Sequence, residues 1–490
     1  MTPVTSFPPA AARHRVGPAL HPVPAAAPAQ RRLVVVSNRM AGGAPGAQMS
    51  GGLAVGVEAA LRAHGGIWFG WSGEIADEAS PQPTLQHSGT VTYAKIPLKR
   101  QDYEEYYAGF ANRVLWPLLH FRSDLIDFRR EDFAGYLRVN RLFAAQLAPL
   151  LQPDDLVWVH DYHLMTLGHE LRQLGAQQPT GFFLHTPFPP GALFRNLPVH
   201  KVLMAALCAF DLVGFQTEPD LDGFLSYFER EPDARLMGGG RLRAFGRECC
   251  AAAFPIGIDV DNVAANAAQS VGTRYRERLH ESLRERKLML GVDRLDYSKG
   301  LLNRFVAFER LFEQAPETRG RITFMQIAPP TRSDVPEYGH IRRTLEEKAG
   351  HINGRFSEFD WTPLRYLNKS FNRRTLMGFL RAANIGLVTP IRDGMNLVAK
   401  EYVAAQDPND PGVLVLSSFA GAARELDAAL QVNPYDVDAV AEAMHEAYAM
   451  PLDERRQRWS SMMSVLRRND IAAWRETFVQ ALGEAALLRR

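Results

Sequence analysis

Eight short apolar runs, arranged in two groups of four, constrain the fold of this chain more than any other feature. Their residues are almost continuously apolar or β-branched, which is typical of strands buried on both faces of a parallel sheet. Longer segments with helical spacing separate the runs, and this alternation predicts βαβ units. The runs are LVVVSN (33–38), LVWVHD (156–161), GFFLHT (181–186) and LVGFQT (212–217), followed by KLMLGVDRLD (287–296), ITFMQIAP (322–329), NIGLVTP (384–390) and GVLVLSS (412–418). We therefore predict an α/β fold with two Rossmann-like, doubly wound parallel-sheet domains that face a central cleft.

The stretch between the two groups marks the predicted domain boundary. It contains FPIGIDVDN and the polar helical segment RYRERLHESLRERK. We predict an N-terminal domain at 31–254, a C-terminal domain at 255–468, and a last helix at 469–490 that packs back on the N-terminal domain. Residues 1–30 hold seven prolines and eight alanines without an uninterrupted apolar core, which predicts a disordered tail rather than a secretory signal.

Composition argues against several classes of function. A net charge of +2 over 490 residues predicts no large basic surface for nucleic acid. No run of about 18 uncharged apolar residues occurs, so no membrane segment is expected. The three cysteines form no CxxC pair, which predicts neither a disulfide framework nor a zinc site, and fits a cytoplasmic protein.

Polar side chains end nearly every predicted strand. In open parallel sheets, ligands bind beyond the carboxyl ends of the strands. Polar residues also begin ordinary loops, but the recurrence of Arg, Asp and His in both groups favours a ligand-binding cleft. The residues concerned are Asn38, Arg39, His160, Asp161, His185, Gln216, Thr217, Asp293, Arg294, Gln326 and Thr389.

The segment VDRLDYSKG (292–300) places Arg294 and Lys299 around a turn that leads into a predicted helix. Two cations beside a helix N-terminus suit a diphosphate. The alternative is ordinary surface charge, which is common near helix starts.

The stretch TPIRDGMNLVAKEYVAAQ (389–406) passes from a strand through a turn into a helix that contains a carboxylate, Glu401. Gly394 is expected to allow a sharp turn and to leave the amides of 394–396 free at the helix start. Asp393 then suits a sugar hydroxyl, and Glu401 suits the hydroxyls of a ribose. The alternative makes Asp393 an N-cap and Glu401 a solvated residue.

Two arginines in different predicted domains suit a phosphate. Arg39, in SNRM, precedes the glycine-rich SGGL (50–53), and Arg332 follows the predicted strand that ends at 329. A phosphate held by both would couple domain closure to substrate binding. No GK[ST] follows the first glycines and no GxGxxG follows the first strand, so neither a P-loop nor a dinucleotide fingerprint is present.

Aromatic and histidine-rich segments are compatible with more than one role. GIWFGWSG (66–73) and EEYYAGFANRVLWP (104–117) suit either a core or a wall against which a sugar stacks. VWVHDYHL (157–164) resembles a metal motif, but strand alternation separates its side chains, so Asp161 near a reacting hydroxyl is the better interpretation.

Taken together, these segments resemble trehalose-6-phosphate synthases, which are retaining glycosyltransferases of the GT-B fold. The resemblance runs from about residue 33 to about residue 480. It depends on long strings: LVVVSNR, GGLAVG, WFGWSGE, HDYHL, GFQTE, RLDYSKG, TPIRDGMNLVAKEYVAAQ and VNPYD.

The resemblance implies a donor site in the C-terminal domain for a nucleoside-diphosphate glucose. Arg294 and Lys299 would bind the diphosphate, Glu401 the ribose, Asp393 the glucose hydroxyls and His185 the 6-hydroxyl. The full implied set is Gly52, His185, Arg294, Lys299, Asp393, Gly394, Met395, Asn396, Leu397, Val398 and Glu401.

The resemblance also implies an acceptor site for glucose 6-phosphate in the N-terminal domain. Its residues are Arg39, Tyr107 and Arg332 around the phosphate, and Trp71, Trp116 and Asp161 around the sugar. The implied catalytic residues are Asp161, His185, Arg294, Lys299 and Asp393.

The implied reaction gives α,α-trehalose 6-phosphate with retention, without a metal or other cofactor. It proceeds by attack on the same face of the sugar that the nucleotide leaves, and it belongs to trehalose biosynthesis and stress response. UDP-glucose is the expected donor, with ADP- or GDP-glucose left open, and a homo-oligomer is expected. The alternatives are a GT-B synthase of sucrose-phosphate or glucosylglycerol-phosphate type, and a non-catalytic regulatory subunit of the same fold.

Overall fold

The computed structural model describes residues 31–40, 57–58, 61–62, 65–78, 80, 82–331 and 336–488. The predicted N-terminal tail, 1–30, therefore lies outside the described residues. Two of the predicted site residues, Gly52 and Arg332, lie outside them as well.

Ten strands within the described residues form the N-terminal sheet. Its parallel strands follow the order β4-β2-β1-β5-β6-β7-β10, and β3, β9 and β8 pair antiparallel at the two edges. The central strands are buried on both faces, as their continuous apolar sequences predict. The strands are β1 (Leu33–Arg39), β2 (Gly66–Ala76), β3 (Thr84–Ser88), β4 (Val91–Lys99), β5 (Leu156–His160), β6 (Thr180–Phe183), β7 (Leu212–Phe215), β8 (Arg235–Leu236), β9 (Arg241–Ala244) and β10 (Arg247–Ala253).

Six strands of the described chain form a second, entirely parallel sheet in the C-terminal domain. Their order is β13-β12-β11-β14-β15-β16, which is the 3-2-1-4-5-6 order of the Rossmann fold. The order reverses direction between β11 and β14, and ligands bind at such a point. The strands are β11 (Lys287–Val292), β12 (Ile322–Ile327), β13 (Leu364–Leu367), β14 (Ile385–Val388), β15 (Val413–Ser417) and β16 (Leu430–Val432).

Helices cover both faces of the two sheets. The helices of the described chain are Tyr103–Leu115, Trp116–Leu119, Arg130–Leu147, Leu167–Gln173, Gly191–Phe194, His200–Leu207, Glu218–Phe228, Val260–Gln269, Arg274–Leu283, Leu301–Gln314, Pro336–Phe356, Arg373–Ala382, Leu397–Ala405, Val437–Ala449, Leu452–Arg468 and Ile471–Leu488. Short helical turns lie at Arg100–Asp102, Ser123–Leu125, Ala148–Leu150, Tyr162–Leu164, Tyr297–Lys299, Pro316–Thr318 and Gly421–Arg424. In the part of the chain that the structure describes, no helix is both long enough and apolar enough to cross a membrane.

The predicted fold class is confirmed, and all eight predicted runs contain a strand. Most of these strands end before the predicted boundary, because the polar residues that follow already belong to loops. The run predicted at 287–296, for example, is a strand only to Val292. The aromatic segment at 66–73 belongs to β2, which the sequence did not identify as a strand because glycines interrupt it.

The chain crosses between the domains twice, and the two crossings lie side by side. The amide of Ile471 donates to the carbonyl of Ile258 over 3.2 Å. A Cβ on Gly257 would lie 2.3 Å from the carbonyl oxygen of Asn469, so this contact requires glycine. The helix Ile471–Leu488 then packs on the N-terminal sheet, where Phe478 stacks on Trp158 with ring centres 4.5 Å apart. Both crossings therefore form one hinge region.

Candidate active site

The candidate site lies where both sheets reverse their strand order. In the N-terminal sheet the reversal falls between β1 and β5, whose ends carry Arg39 and Asp161. In the C-terminal sheet it falls between β11 and β14, which are followed by the loops of Lys299 and Asp393. Four predicted site residues therefore leave the sheets at the two positions where open α/β sheets bind ligands.

The loop after β11 places Lys299 at the start of a helix. The side chain of Asp296 accepts a hydrogen bond from the amide of Ser298, and Gly300 takes a left-handed φ of 65° before the helix begins. Lys299 is buried and forms an ion pair with Asp393, which belongs to the loop after β14. Arg294 remains exposed, with its guanidinium 5.7 Å from the ring centre of Trp116 in the other domain.

A buried arginine that the sequence did not single out supports this loop from below. Arg304 is fully buried, and its guanidinium donates to Asp293 (2.5 Å), Gln326 (2.7 Å) and Thr389 (2.9 Å). It also donates to the carbonyl of Lys299. The prediction that these three strand-end side chains line the cleft is therefore wrong: they hold Arg304 beneath it.

The stretch 389–406 differs from its sequence interpretation in where the chain turns. The left-handed residue is Asn396 (φ 71°), whose side chain accepts from the amide of Ala399 and so forms the N-cap. The alternative that Asp393 is the N-cap is wrong, because its carboxylate accepts from Lys299 and, over 3.0 Å, from Asn396. Gly394 is needed for close approach rather than for a turn, since a Cβ there would lie 2.1 Å from the carbonyl oxygen of His185.

Glu401 lies inside the helix and is buried, so the alternative that it is solvated is wrong. It is 7% exposed, and its carboxylate is 3.2 Å from the guanidinium of Arg373. Burial raises the pKa of Glu401, and the charge of Arg373 opposes that shift. Three other residues of the predicted donor site precede Glu401 in the chain. Met395 is buried before the helix begins, while Leu397 and Val398 are half-buried in its first turn.

The N-terminal side of the cleft carries a cluster of aromatic rings on a widened helix. The helix Tyr103–Leu115 has π geometry, with the amide of Trp116 bonded to the carbonyl of Ala111, and such geometry is frequent at functional sites. The ring centres of Trp71 and Tyr107 are 5.7 Å apart, and the guanidinium of Arg39 lies 5.5 Å from the ring centre of Trp71. The structure therefore brings three predicted acceptor residues, Arg39, Trp71 and Tyr107, together.

The two tryptophans of this cluster are mostly core residues. Trp71 and Trp116 are 3% and 5% exposed and belong to the apolar core between the N-terminal sheet and its helices. Little of either ring surface is therefore open to a sugar. Their role toward an acceptor stays a prediction.

The motif HDYHL separates its polar side chains, as strand alternation predicts. Asp161 takes a positive φ of 76°, which is uncommon for a residue other than glycine, and its carboxylate accepts from the amide of His185 over 3.3 Å. His163 stacks on Tyr107, and His160 lies 3.0 Å from His185. Among the described residues, no group of three or more His, Cys, Asp or Glu side chains is placed to hold a metal ion.

Two histidines of the cleft, the buried His120 and the half-buried His185, are neutral near pH 7. Burial lowers the pKa of His185 to about 3. It lowers the pKa of His120 to about 4, against the opposing charges of Asp296 and Asp393. His120 belongs to the N-terminal domain and these carboxylates to the other, so the two domains meet here.

Two further contacts join the domains beside Asp393. The guanidinium of Arg392 lies 3.8 Å from the ring centre of Phe121, which itself has a positive φ of 62°. Arg122 lies 5.6 Å from the ring of Tyr297. Arg392 lies inside the stretch 389–406 but was given no role there, and Phe121 has no signal in the sequence.

Two Rossmann-like domains that join their switch points into one cleft, with cations on one wall and aromatic rings on the other, form the GT-B architecture, and the family match assigns it here to a glycosyltransferase. The chain belongs to glycosyltransferase family 20, whose profile matches residues 33–484.

Relatives with assigned names agree with this family. The chain is 51% identical over 458 residues to a trehalose-6-phosphate synthase of Sinorhizobium fredii, a match that covers 92% of this chain and 98% of that one. It is 51% identical, with a TM-score of 0.89, to the UDP-forming α,α-trehalose-phosphate synthase of Burkholderia xenovorans in complex with glucose-6-phosphate, covering 92% and 100% of the two chains. The enzyme from E. coli bound with UDP-2-fluoro glucose is 49% identical, with a TM-score of 0.88 and coverage of 92% and 98%.

Proposed function

We propose that the protein transfers glucose from UDP-glucose to glucose 6-phosphate and releases α,α-trehalose 6-phosphate and UDP. The observation that carries the proposal is the contact of Arg294 with Trp116 across the cleft, 5.7 Å from guanidinium to ring centre. A cation suited to a diphosphate on one domain meets the aromatic cluster of the other domain there. One cleft can therefore hold a nucleotide-sugar and a sugar phosphate in contact.

The donor half of the proposal is supported by the charges of the C-terminal domain. Arg294 is exposed and Lys299 lies at a helix start, so both can reach a diphosphate without rearrangement of the sheet. Lys299 would exchange Asp393 for the phosphate when the donor binds. That exchange frees the carboxylate of Asp393 for glucose hydroxyls, and Glu401 lies in the helix that follows this loop, for the ribose.

The acceptor half is supported by Arg39 and Tyr107, which flank Trp71 at the mouth of the N-terminal domain. A guanidinium and a phenol that both border one ring suit a phosphate dianion. From the sequence alone, we propose Arg332 as a further ligand of the acceptor phosphate. Gly52 is proposed, on the same basis, for the donor site. Asp161 would orient the attacking hydroxyl, because its carboxylate is held at the end of β5 by the amide of His185.

We propose retention by attack on the face from which the nucleotide departs, without a metal. The bond from the anomeric carbon to the phosphate oxygen breaks as the acceptor's 1-hydroxyl oxygen approaches the same face, and the departing oxygen takes the hydroxyl proton. Retention through a double displacement would need a carboxylate nucleophile. Asp393 is proposed to bind the glucose hydroxyls, and Asn396 donates to its carboxylate over 3.0 Å, which supports a binding role for it rather than attack. Arg294 and Lys299 would stabilise the charge on the leaving group.

The test is an assay of the purified chain with glucose 6-phosphate and, separately, UDP-, ADP- and GDP-glucose, in buffer with EDTA. We expect a disaccharide phosphate with UDP-glucose, whose two anomeric protons both show α coupling in NMR spectra. Product with fructose 6-phosphate or glycerol phosphate in place of glucose 6-phosphate would favour a different GT-B synthase. No product with any pair would favour the regulatory alternative, and loss of product on EDTA would overturn the metal-free reaction.

A further inference from the structure

A chain of hydrogen bonds connects the hinge between the domains to two histidines in the cleft. Gln216 follows β7 and is 1% exposed. Its Oε1 lies 3.1 Å from the amide nitrogen of Ile256, which belongs to the first crossing between the domains. Its Nε2 lies 3.4 Å from Nδ1 of His185, and Nε2 of His185 lies 3.0 Å from Nδ1 of His160.

The direction of every bond in this chain follows from its first member. A backbone N–H can only donate, so the side-chain oxygen of Gln216 faces Ile256 and its NH₂ group faces His185. The NH₂ group can only donate, so Nδ1 of His185 accepts and carries no proton. A neutral imidazole has one N–H, which must then lie on Nε2 of His185 and donate to Nδ1 of His160.

The far end of the chain of hydrogen bonds does not itself fix the direction. His160 accepts at Nδ1, so its own proton lies on Nε2, a buried atom without a hydrogen-bond partner in the described part of the chain. Burial lowers the pKa values of both histidines, so neither ring is an imidazolium near neutral pH. The proton of His185 is therefore held on the nitrogen nearer His160.

The hinge end of the chain is fixed by both domains. The carbonyl of Ile256 accepts from Nζ of Lys400 over 2.7 Å, while its amide is held by Gln216. Lys400 is fully buried in the helix that carries Glu401. A single residue of the crossing is thus bound by one side chain from each domain, and its position sets the position of Gln216.

We propose that Gln216 is a positioning residue that holds His185 as the Nε2–H tautomer and fixes its ring in the wall of the cleft. That the ring borders the donor glucose rests on the proposed function, whereas the tautomer does not. In this tautomer the Nε2–H of His185 is donated to His160, and Nδ1 is covered by the NH₂ group of Gln216. Both ring nitrogens are therefore engaged by the protein, so Gln216 sets the position of the ring and not a hydrogen bond to the sugar.

The first test measures the ring nitrogens of His185 by NMR in protein labelled with ¹⁵N-histidine, and assigns the signals by their loss in His185→Asn. We expect a protonated Nε2 and an unprotonated Nδ1. The reverse tautomer in the wild-type protein would overturn the proposal. Because this readout needs no substrate, it stands apart from the glycosyl-transfer assay: the expected tautomer in a protein without transferase activity would refute the proposed function only.

The second test is Gln216→Glu, which keeps an oxygen for the amide of Ile256 but presents another oxygen to Nδ1 of His185. A carboxylate cannot donate, so Nδ1 must become protonated, and turnover should fall about 100-fold or more, as a wrong tautomer does elsewhere. The matched control is Gln406→Glu, at another buried glutamine whose oxygen accepts a backbone amide, that of Gly412. An unchanged tautomer in Gln216→Glu, or the same change in Gln406→Glu, would refute the role of Gln216.

Discussion

Arg304 is the residue on which the C-terminal half of the site rests most directly. Its guanidinium joins side chains at the ends of β11, β12 and β14 and also supports the carbonyl of Lys299. Arg304→Met would leave Asp293 as a buried charge without its partner. We expect a loss of about 3–5 kcal/mol in the free energy of unfolding, measured with urea.

A double variant separates charge from packing at this position. Arg304→Met combined with Asp293→Asn removes both charges, so part of the lost stability should return. A loss below about 1 kcal/mol in the single variant would mean that water replaces the guanidinium there.

Arg294 should act on turnover without acting on stability. Its side chain is exposed and contacts Trp116 only through the ring face, so Arg294→Ala removes no buried pair. If it stabilises the departing phosphate, kcat should fall about 100- to 1000-fold with an unchanged melting temperature. Arg294→Lys keeps the charge without the two-pronged geometry and should retain part of the activity. Wild-type turnover in Arg294→Ala would refute the donor assignment.

The lowered pKa of His120 predicts how the free energy of unfolding depends on pH. Its pKa is about 4 in the folded protein and 6.5 as the ordinary value, so the unfolded chain binds more protons between these two values. Stability is therefore full above about pH 6.5 and is lost as pH falls toward 4. The difference of 2.5 pKa units corresponds to about 3 kcal/mol.

The measurement is urea unfolding at a series of pH values from 7 to 4. His120→Gln removes the titrating group, so its stability should fall less steeply over the same range than that of the wild-type protein. Equal slopes for the two proteins would show that His120 does not stay neutral on folding.

At the scale of elements, the sequence predicted the strands well and the loops after them poorly. Continuous apolar runs identify strands buried on both faces, because both faces must be apolar. The direction of a side chain beyond a strand end depends on partners far along the chain. Thr389 contacts Arg304 across 85 residues, so it could not be predicted to lie under the cleft instead of in it. The π geometry of Tyr103–Leu115 is equally hidden, since its sequence resembles that of any amphipathic helix.

The site residues in the loops were predicted from the sequence, whereas the residues that support them were not. Asp393 and Lys299 were predicted from loop chemistry, and the structure pairs them. Gln216 and Arg304 support site residues from buried positions and Arg373 from a half-buried one, and a single sequence gives such residues no signal beside a motif. Only the string GFQTE, which contains Gln216 at a strand end, pointed toward one of them.

One methyl group added at Gly394, in the loop between β14 and the helix Leu397–Ala405, should disturb the contact between the domains. Alanine is compatible with the backbone of Gly394, whose φ lies outside the left-handed region, but its Cβ would lie 2.1 Å from the carbonyl of His185. Gly394→Ala should therefore separate the domains while each keeps its fold. We expect turnover to fall about 100-fold, with a larger radius of gyration in solution scattering and unchanged far-ultraviolet circular dichroism.

The control for this variant is Gly483→Ala, in the helix Ile471–Leu488, where an added Cβ would meet nothing within 4 Å. Alanine favours a helix over glycine by about 1 kcal/mol, so this variant should be slightly more stable and fully active. Wild-type scattering and turnover in Gly394→Ala would mean that the domains do not need this contact.

At the scale of the whole molecule, both crossings between the domains depend on one buried ion pair. Nζ of Lys400 donates to the carbonyl of Ile256 in the first crossing and, over 2.5 Å, to Glu425. The carboxylate of Glu425 also accepts from the side chain of Asn469 in the second crossing, over 2.9 Å. Burial lowers the pKa of Lys400, and the nearby charge of Glu425 and its hydrogen bond oppose that shift.

Lys400→Met is expected to loosen both crossings together, because it leaves Glu425 charged and buried and the carbonyl of Ile256 without a donor. The free energy of unfolding should fall by about 3–5 kcal/mol. Amide exchange should rise both near Ile256 and at the start of the helix Ile471–Leu488, although these segments are far apart in sequence. The control is Arg342→Met, which breaks an exposed pair with Glu346 and should cost about 0–1 kcal/mol. If exchange rises at only one crossing, the ion pair does not join them, and the hinge consists of two independent segments.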